Sequence, residues 1–206
     1  MPGAHDTREA LRRTALAMFS QRGYDAVTVA QVARAANVSH MTFFRHFPSK
    51  ESVVVADLFD PVIAAAVAAQ PREWAPLRRA VQGLVAALDD EGARAELTSD
   101  EFRERVQLAA STPSLRGAVS AASLATEEAI AAALDVSLGG ATGGGAGGGS
   151  ADGATPGPGP LAARAAAAAT MGAASAILLA WAAEGAGTDP AASLRDGLLS
   201  LLGEGS

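Results

Sequence analysis

The sequence predicts an all-α protein in two parts: a compact three-helix domain over residues 1–50 and a larger helical domain over residues 51–206. Three observations lead there. Apolar residues recur three and four apart along most of the chain, and no stretch alternates apolar with polar residues long enough for a strand. Residues that start and stop helices stand at the ends of these runs. Charge divides at the same boundary: residues 1–50 carry seven basic and three acidic side chains, and residues 51–206 carry nine and nineteen.

The first helix is expected from about Asp6 to Arg22, with Asp6 and Glu9 as a capping pair and Gly23 as terminator. Leu11, Ala15, Met18 and Phe19 make its apolar stripe. Arg8, Arg12 and Arg13 lie elsewhere on its surface, where solvation and phosphate contact are equally open to them. Thr28 and Gln31 then fit a capping box, and Val29, Val32, Ala33 and Ala36 recur at helical spacing behind it. Asn37 stands where the chain must turn, and asparagine tolerates left-handed angles. Ser39 is placed to cap a helix running to about Phe47, with Val38, Phe43 and Phe47 inward and Ser39, His40, Met41, Thr42, Phe44, Arg45 and His46 free to face outward. Pro48 closes it, because the residue before a proline avoids helical angles. Ser49 can cap the next helix, expected to begin at Lys50, the only lysine. Two short helices joined by so tight a turn form a helix-turn-helix, whose second helix lies in the DNA major groove.

The run VSHMTFFRHFPSKE, with TVAQVARAA before it, resembles the DNA-binding domain of TetR-type transcriptional repressors. The resemblance is close over the first fifty residues and extends to the remainder only in helical layout. Asn37 and Met41 stand where the family commonly has glycine, and Phe44 replaces its usual tyrosine. That tyrosine bonds a backbone phosphate in the family; Phe44 has no hydroxyl to do so, which leaves the contact to His40 or His46.

In the larger domain, a helix begins with ESVVVADLF and is interrupted by Pro61, which kinks it or forces a restart. The resemblance makes this the link between head and body. Trp74, Leu77, Val81, Leu84, Val85 and Leu88 share one face of the next helix, which Asp89, Asp90, Glu91 and Gly92 are expected to close. Phe102, Val106 and Ala109 mark another, ended near Thr112-Pro113. Leu115, Val119, Ala122, Ile130 and Leu134 mark a further one, extending to about Leu138. Residues 139–160 hold eleven of the 22 glycines and three of the ten prolines, a composition that predicts a mobile loop. Gly143, Gly145 and Gly148 satisfy G-x-G-x-x-G without the preceding strand that a dinucleotide site needs. From Leu161 to Ala183 the chain is alanine-rich, with nineteen uncharged residues between Arg164 and Glu184. That is near the ~20 that span a bilayer, but so much alanine suits close helix–helix packing better. Leu194, Leu198, Leu201 and Leu202 stripe the last helix. The family's two C-terminal helices pair with those of a second subunit, which implies a homodimer here.

Enzyme chemistry lacks its parts. All three histidines, His5, His40 and His46, fall in residues 1–50, so the body has none to serve as base or metal ligand. Neither a G-x-S-x-G elbow nor an H-E-x-x-H motif occurs. No metal or cofactor is expected. The chain has no cysteine, which fits a reducing cytoplasm, and its N-terminus has no apolar signal-peptide core. The expected partner is double-stranded DNA carrying a roughly palindromic operator. Ser39, Thr42, Phe44 and Lys50 are expected mainly to position the backbone; His40, Met41, Phe43 and Arg45 are the candidates for base contact, and Thr28, Gln31 and His46 complete the expected DNA-binding set. Lys50, at a helix N-terminus, is expected to hold a phosphate. The resemblance further implies a small-molecule effector that releases the DNA, in a largely apolar pocket among the helices between Trp74 and Trp181. Its candidate lining is Trp74, Phe102, Arg103, Gln107 and Trp181, with Arg105 and Glu128 as further polar candidates.

Overall fold

The computed structural model describes residues 4–55, 62–135, 159–185 and 187–203, and these are all helix, turn and loop. Eleven α-helices occur among them: α1 Ala4–Arg22, α2 Val29–Ala35, α3 His40–His46, α4 Glu51–Val55, α5 Val62–Ala68, α6 Pro76–Ala87, α7 Glu91–Leu97, α8 Asp100–Ser111, α9 Arg116–Asp135, α10 Pro160–Ala183 and α11 Pro190–Ser200. A 3-10 turn, Pro113–Leu115, precedes α9.

The chain forms two compact units. The first comprises residues 1–58, 95–122 and 178–190. Its core is built on the aliphatic and aromatic side chains of α1 (Leu11, Ala15, Leu16, Phe19), to which α2 adds Val32 and Ala33, α3 and its cap add Phe43 and Phe47, and α4 adds Val53, Val54 and Val55. Ala109, Leu115 and Val119, from much later in the sequence, complete it. The helix-turn-helix therefore shares its core with α8 and the start of α9. By packing, the first unit extends past residue 50; a boundary there divides roles, not contacts.

Arg105 ties this unit together. It is 1 % exposed, its Nε donates to the Val54 carbonyl at 2.8 Å, and its Nη1 lies 3.4 Å from Glu96. A buried guanidinium needs such partners. Expected as a ligand-orienting group, Arg105 bonds the end of α4 and also borders a cleft of about 880 Å³ together with Arg8, Arg12 and Glu101.

The second unit comprises residues 59–94, 123–177 and 191–206. Helices α5 and α6 pack closely, and Gly83 permits it: a Cβ there would come within 2.5 Å of the Val67 Cα. Arg79, buried on α6, donates to the Leu134 carbonyl of α9 at 3.3 Å. Asp89, just beyond α6, accepts from Arg195 of α11 at 2.7 Å and from Arg94 at 3.1 Å. These cations hold its carboxyl below the usual range, the Arg195 hydrogen bond foremost.

Several expectations shift. The first helix starts at Ala4, so Asp6 sits within its first turn instead of capping it. The helix after Ser49 starts at Glu51, one residue later than expected. Trp74 precedes α6, which starts at Pro76, a residue suited to a helix's first turn. Glu91 and Gly92 do not close α6 but open α7, capped by Asp90, whose side chain accepts from the Gly92 and Ala93 N–H groups. Sequence reading missed α7 because it has no buried residue and hence no apolar stripe. Leu194 and Leu198 are buried as expected, whereas Leu201 is exposed. The proposed kink at Pro61, the end of the helix at Leu138 and the loop over 139–158 lie outside the described residues.

Among the described residues, α10 is long and apolar enough by length and composition to cross a membrane. Its burial is one-sided. Ala163, Ala166, Ala167, Thr170, Met171, Ala174 and Leu178 are buried at helical spacing, while Leu161, Ala165, Ala168, Ala169, Gly172 and Ala176 are exposed. A helix packed on one face suits a protein layer better than lipid on all sides.

Candidate nucleic-acid interface

Local chemistry sets the geometry of α2 and α3. The Thr28 hydroxyl accepts from the Gln31 N–H at 3.3 Å, and the Gln31 side chain accepts from the Thr28 N–H at 2.9 Å, so the capping box is complete. Asn37 takes φ 54°, the left-handed turn that separates the helices. Ser39 Oγ accepts from the Thr42 N–H at 3.0 Å and shares a hydrogen bond with Thr42 Oγ1 at 2.8 Å. Phe47 ends α3 in extended conformation, as Pro48 requires.

Two rings fix how α3 is rolled. Phe43 and Phe47 are both fully buried, with centroids 5.8 Å apart. Phe43 is thereby removed from the candidates for base contact: its ring is core. On the opposite side Met41 is 71 % exposed and Phe44 39 %, with His40 and Arg45 exposed beside them. The His40 ring meets the edge of Phe44 at 4.8 Å. Thr28, Gln31 and Ser39 are exposed, and Thr42 and His46 half-buried. Apart from Phe43, every residue of the expected set is exposed or half-buried.

Lys50 behaves differently. Its Nζ donates to the Tyr24 and Val27 carbonyls, each at 2.9 Å, and sits 3.9 Å from the centre of the Tyr24 ring. An ammonium has three donors, and two carbonyls and a ring face occupy them. The expectation that Lys50 holds a phosphate is corrected: its charge closes the loop between α1 and α2 from within. Ser49 and Ser52 cap α4 reciprocally beside it. The neighbouring Tyr24 phenol is pushed well above its ordinary pKa, by burial first and by the Glu51 and Asp25 carboxylates second.

The arginines of α1 also divide. Arg12 is 8 % exposed, its Nη1 pairs with Glu101 at 3.2 Å, and its guanidinium lies 5.4 Å from the Phe47 ring centre. Arg8 lies 5.0 Å from the same ring. Arg13, 3.9 Å from Glu9, and Arg22 stay on the surface. Sequence gave no signal for the Arg12 anchor, because Glu101 is 89 residues away.

The expected effector residues are scattered in role. Trp74, in the second unit, is half-buried with the Arg78 guanidinium 4.4 Å above its ring. The other four belong to the first unit. Phe102 is core. Arg103 pairs with Asp100 at 3.1 Å. The Trp181 indole donates to the Thr188 carbonyl at 2.9 Å. Gln107 lines a cleft of about 590 Å³, together with Phe19, Tyr24, Glu104, Leu108 and Ala182 among others. Burial, then the charge of Glu101, raises the Glu104 pKa there. Glu128 borders a smaller cleft of about 290 Å³ in the second unit, between α9 and the start of α10.

Comparison with known proteins agrees with this geometry. The pattern of the tetR family of bacterial regulatory proteins matches residues 11–56, from the core of α1 through α4. The HTH-type transcriptional regulator TcmR of Streptomyces glaucescens is 41% identical over 87 residues, 38% of each chain. The uncharacterized HTH-type regulator YuxN of Bacillus subtilis (strain 168) is 38% identical over 45 residues, 22% of this chain and 16% of that one. The chain thus spans less than two-fifths of the length of these curated relatives. Solved structures match across almost the whole chain. FadR of Thermus thermophilus, a TetR family repressor in complex with lauroyl-CoA, is 23% identical with TM-score 0.50, covering 96% of this chain and 94% of that one. NalD of Pseudomonas aeruginosa, secondary repressor of the MexAB-OprM multidrug efflux pump, is 18% identical with TM-score 0.56, covering 98% of each. At such identities these two share the fold. Over residues 11–56 the chain thus matches the N-terminal domain of the tetR family of bacterial regulatory proteins, and over nearly its whole length it shares the fold of these repressors.

Proposed function

We propose that this protein is a homodimeric, sequence-specific DNA-binding repressor, which reads a roughly palindromic operator through α3 and leaves it when a small molecule binds. The observation that carries the reading is the rigid presentation of α3: capped by Ser39, turned by Asn37 and rolled by Phe43 and Phe47 so that His40, Met41, Phe44 and Arg45 face outward. Arg45 is chemically suited to guanine, since a guanidinium can bond O6 and N7 together. Thr28, Gln31, Ser39, Thr42 and His46 fall to the backbone, where they set register without reading sequence.

A second copy is supported by α10. Apart from Leu161 and Arg164 its exposed residues are small, Ala165, Ala168, Ala169, Gly172 and Ala176 among them, which lets another helix approach closely. An effector is supported by the clefts described above and by the lauroyl-CoA complex of FadR. A ligand drives release only if it binds the DNA-incompetent state more tightly. Selection of bound sequences from a random duplex pool tests the reading. Enrichment of a palindrome supports it, and no enrichment at low salt contradicts it. Titrating apolar ligands, a long-chain acyl-CoA among them, against the enriched complex separates a ligand-released repressor from a ligand-independent or activating regulator.

A further inference from the structure

We propose that Met41 and Phe44 read the C5-methyl group of thymine, so that each half-site carries an obligatory thymine close to the guanine read by Arg45. This rests on the DNA-binding reading above and adds to it the chemistry of the contact.

The recognition surface is unusually apolar. Met41 and Phe44 are one helical turn apart on α3, on the same side as Arg45 and His40, and they are among the few large apolar side chains exposed anywhere in the described residues. The helix cannot roll to hide them, because Phe43 and Phe47 are fully buried on its other side. Phe44 is held in place by the edge of His40 at 4.8 Å and by Phe43 at 5.5 Å. Without a hydroxyl it neither donates to a phosphate nor bonds a base edge, so it offers only apolar surface. The Met41 thioether is a weak acceptor on an otherwise apolar, adaptable chain. In the major groove the base edges present donors, acceptors and one apolar group, the thymine methyl. Met41 is the second residue of α3, in the N-terminal part of a recognition helix that meets base edges. Arg45 follows four residues later, ~6 Å along the axis, or about one to two base-pair steps. The two readings therefore fall on neighbouring base pairs.

The test is chemical substitution in the DNA. In the duplex enriched from the random pool, each thymine is replaced in turn by deoxyuridine, which removes the methyl and leaves charge and hydrogen bonding intact. One thymine per half-site should lose about fourfold in affinity, the factor that burying one methyl-sized group is worth. Replacing both should cost roughly the square of that. The salt dependence should stay the same for both duplexes, since no phosphate contact changes. Met41→Ala should bring the thymine-to-deoxyuridine ratio close to one at that position, and Phe44→Ala should lower it. Met41→Leu, which keeps apolar bulk, should retain most of it. Circular dichroism of each variant checks that the head remains folded. Uniform tolerance of deoxyuridine by the wild type, or an undiminished ratio in Met41→Ala, overturns the inference while leaving DNA binding in place. Failure to enrich any duplex overturns DNA binding itself, and this inference with it.

Discussion

Lys50 shows what a single residue's surroundings decide. Its place before a helix N-terminus suggests a phosphate ligand, yet the ammonium lies between the Tyr24 and Val27 carbonyls over the Tyr24 ring. Charged hydrogen bonds of this kind contribute about 1.5–3 kcal/mol each, and carbonyls left without them bear a cost. Lys50→Met is therefore expected to destabilise the protein by about 2–3 kcal/mol in urea unfolding, while the salt slope of operator binding stays unchanged. A slope reduced by about 1 with stability intact would return Lys50 to the phosphates. The caps of α2 and α3 need no such correction. Thr28, Gln31, Asn37 and Ser39 were legible because each acts on backbone within three residues of itself. Lys50, Arg12 and Arg105 were not, because the carbonyls and carboxylates they meet lie 9 to 89 residues away.

The same distinction holds for whole helices. Those with an apolar stripe, α1, α6, α8 and α11, could be placed from periodicity to within a few residues. Helix α7 could not, since it buries nothing. Periodicity also does not reveal how closely two helices approach. Gly83 reads as an unremarkable helical glycine, but its missing Cβ is what lets α6 lie against Val67 of α5. Gly83→Ala forces a methyl against backbone. It is expected to cost about 1–3 kcal/mol even though alanine is the better helix former, because overpacking outweighs the ~1 kcal/mol propensity gain. Thermal melting checks this; an alanine variant of equal or higher Tm would show that α5 and α6 have room to separate.

For the molecule as a whole, fold class and the helix-turn-helix segment are readable in the sequence, whereas the expected effector residues are scattered in role. Large or polar groups such as Trp74, Phe102, Arg103 and Trp181 serve a core or a surface ion pair as readily as a pocket, whereas Gln107 borders a sizeable cleft. Assembly is testable without knowing the ligand. Gly172 sits on the exposed small-residue face of α10 with nothing within 4 Å of where a Cβ would stand. Gly172→Glu should leave the monomer folded yet place like charges at the proposed two-fold interface, shifting sedimentation from dimer toward monomer. An unchanged dimer would move the interface off this face.

In the proposed reading operator binding depends on both scales, since a basic head must present α3 and a second copy must present its twin. The most direct measurement is the affinity of the purified chain for its enriched duplex across a salt series, with the mass of the complex determined alongside. The expected result is two chains per duplex and a log affinity falling linearly with log salt, well above that for random DNA. A chain that stays monomeric and shows no preference among duplexes at low ionic strength would contradict the account.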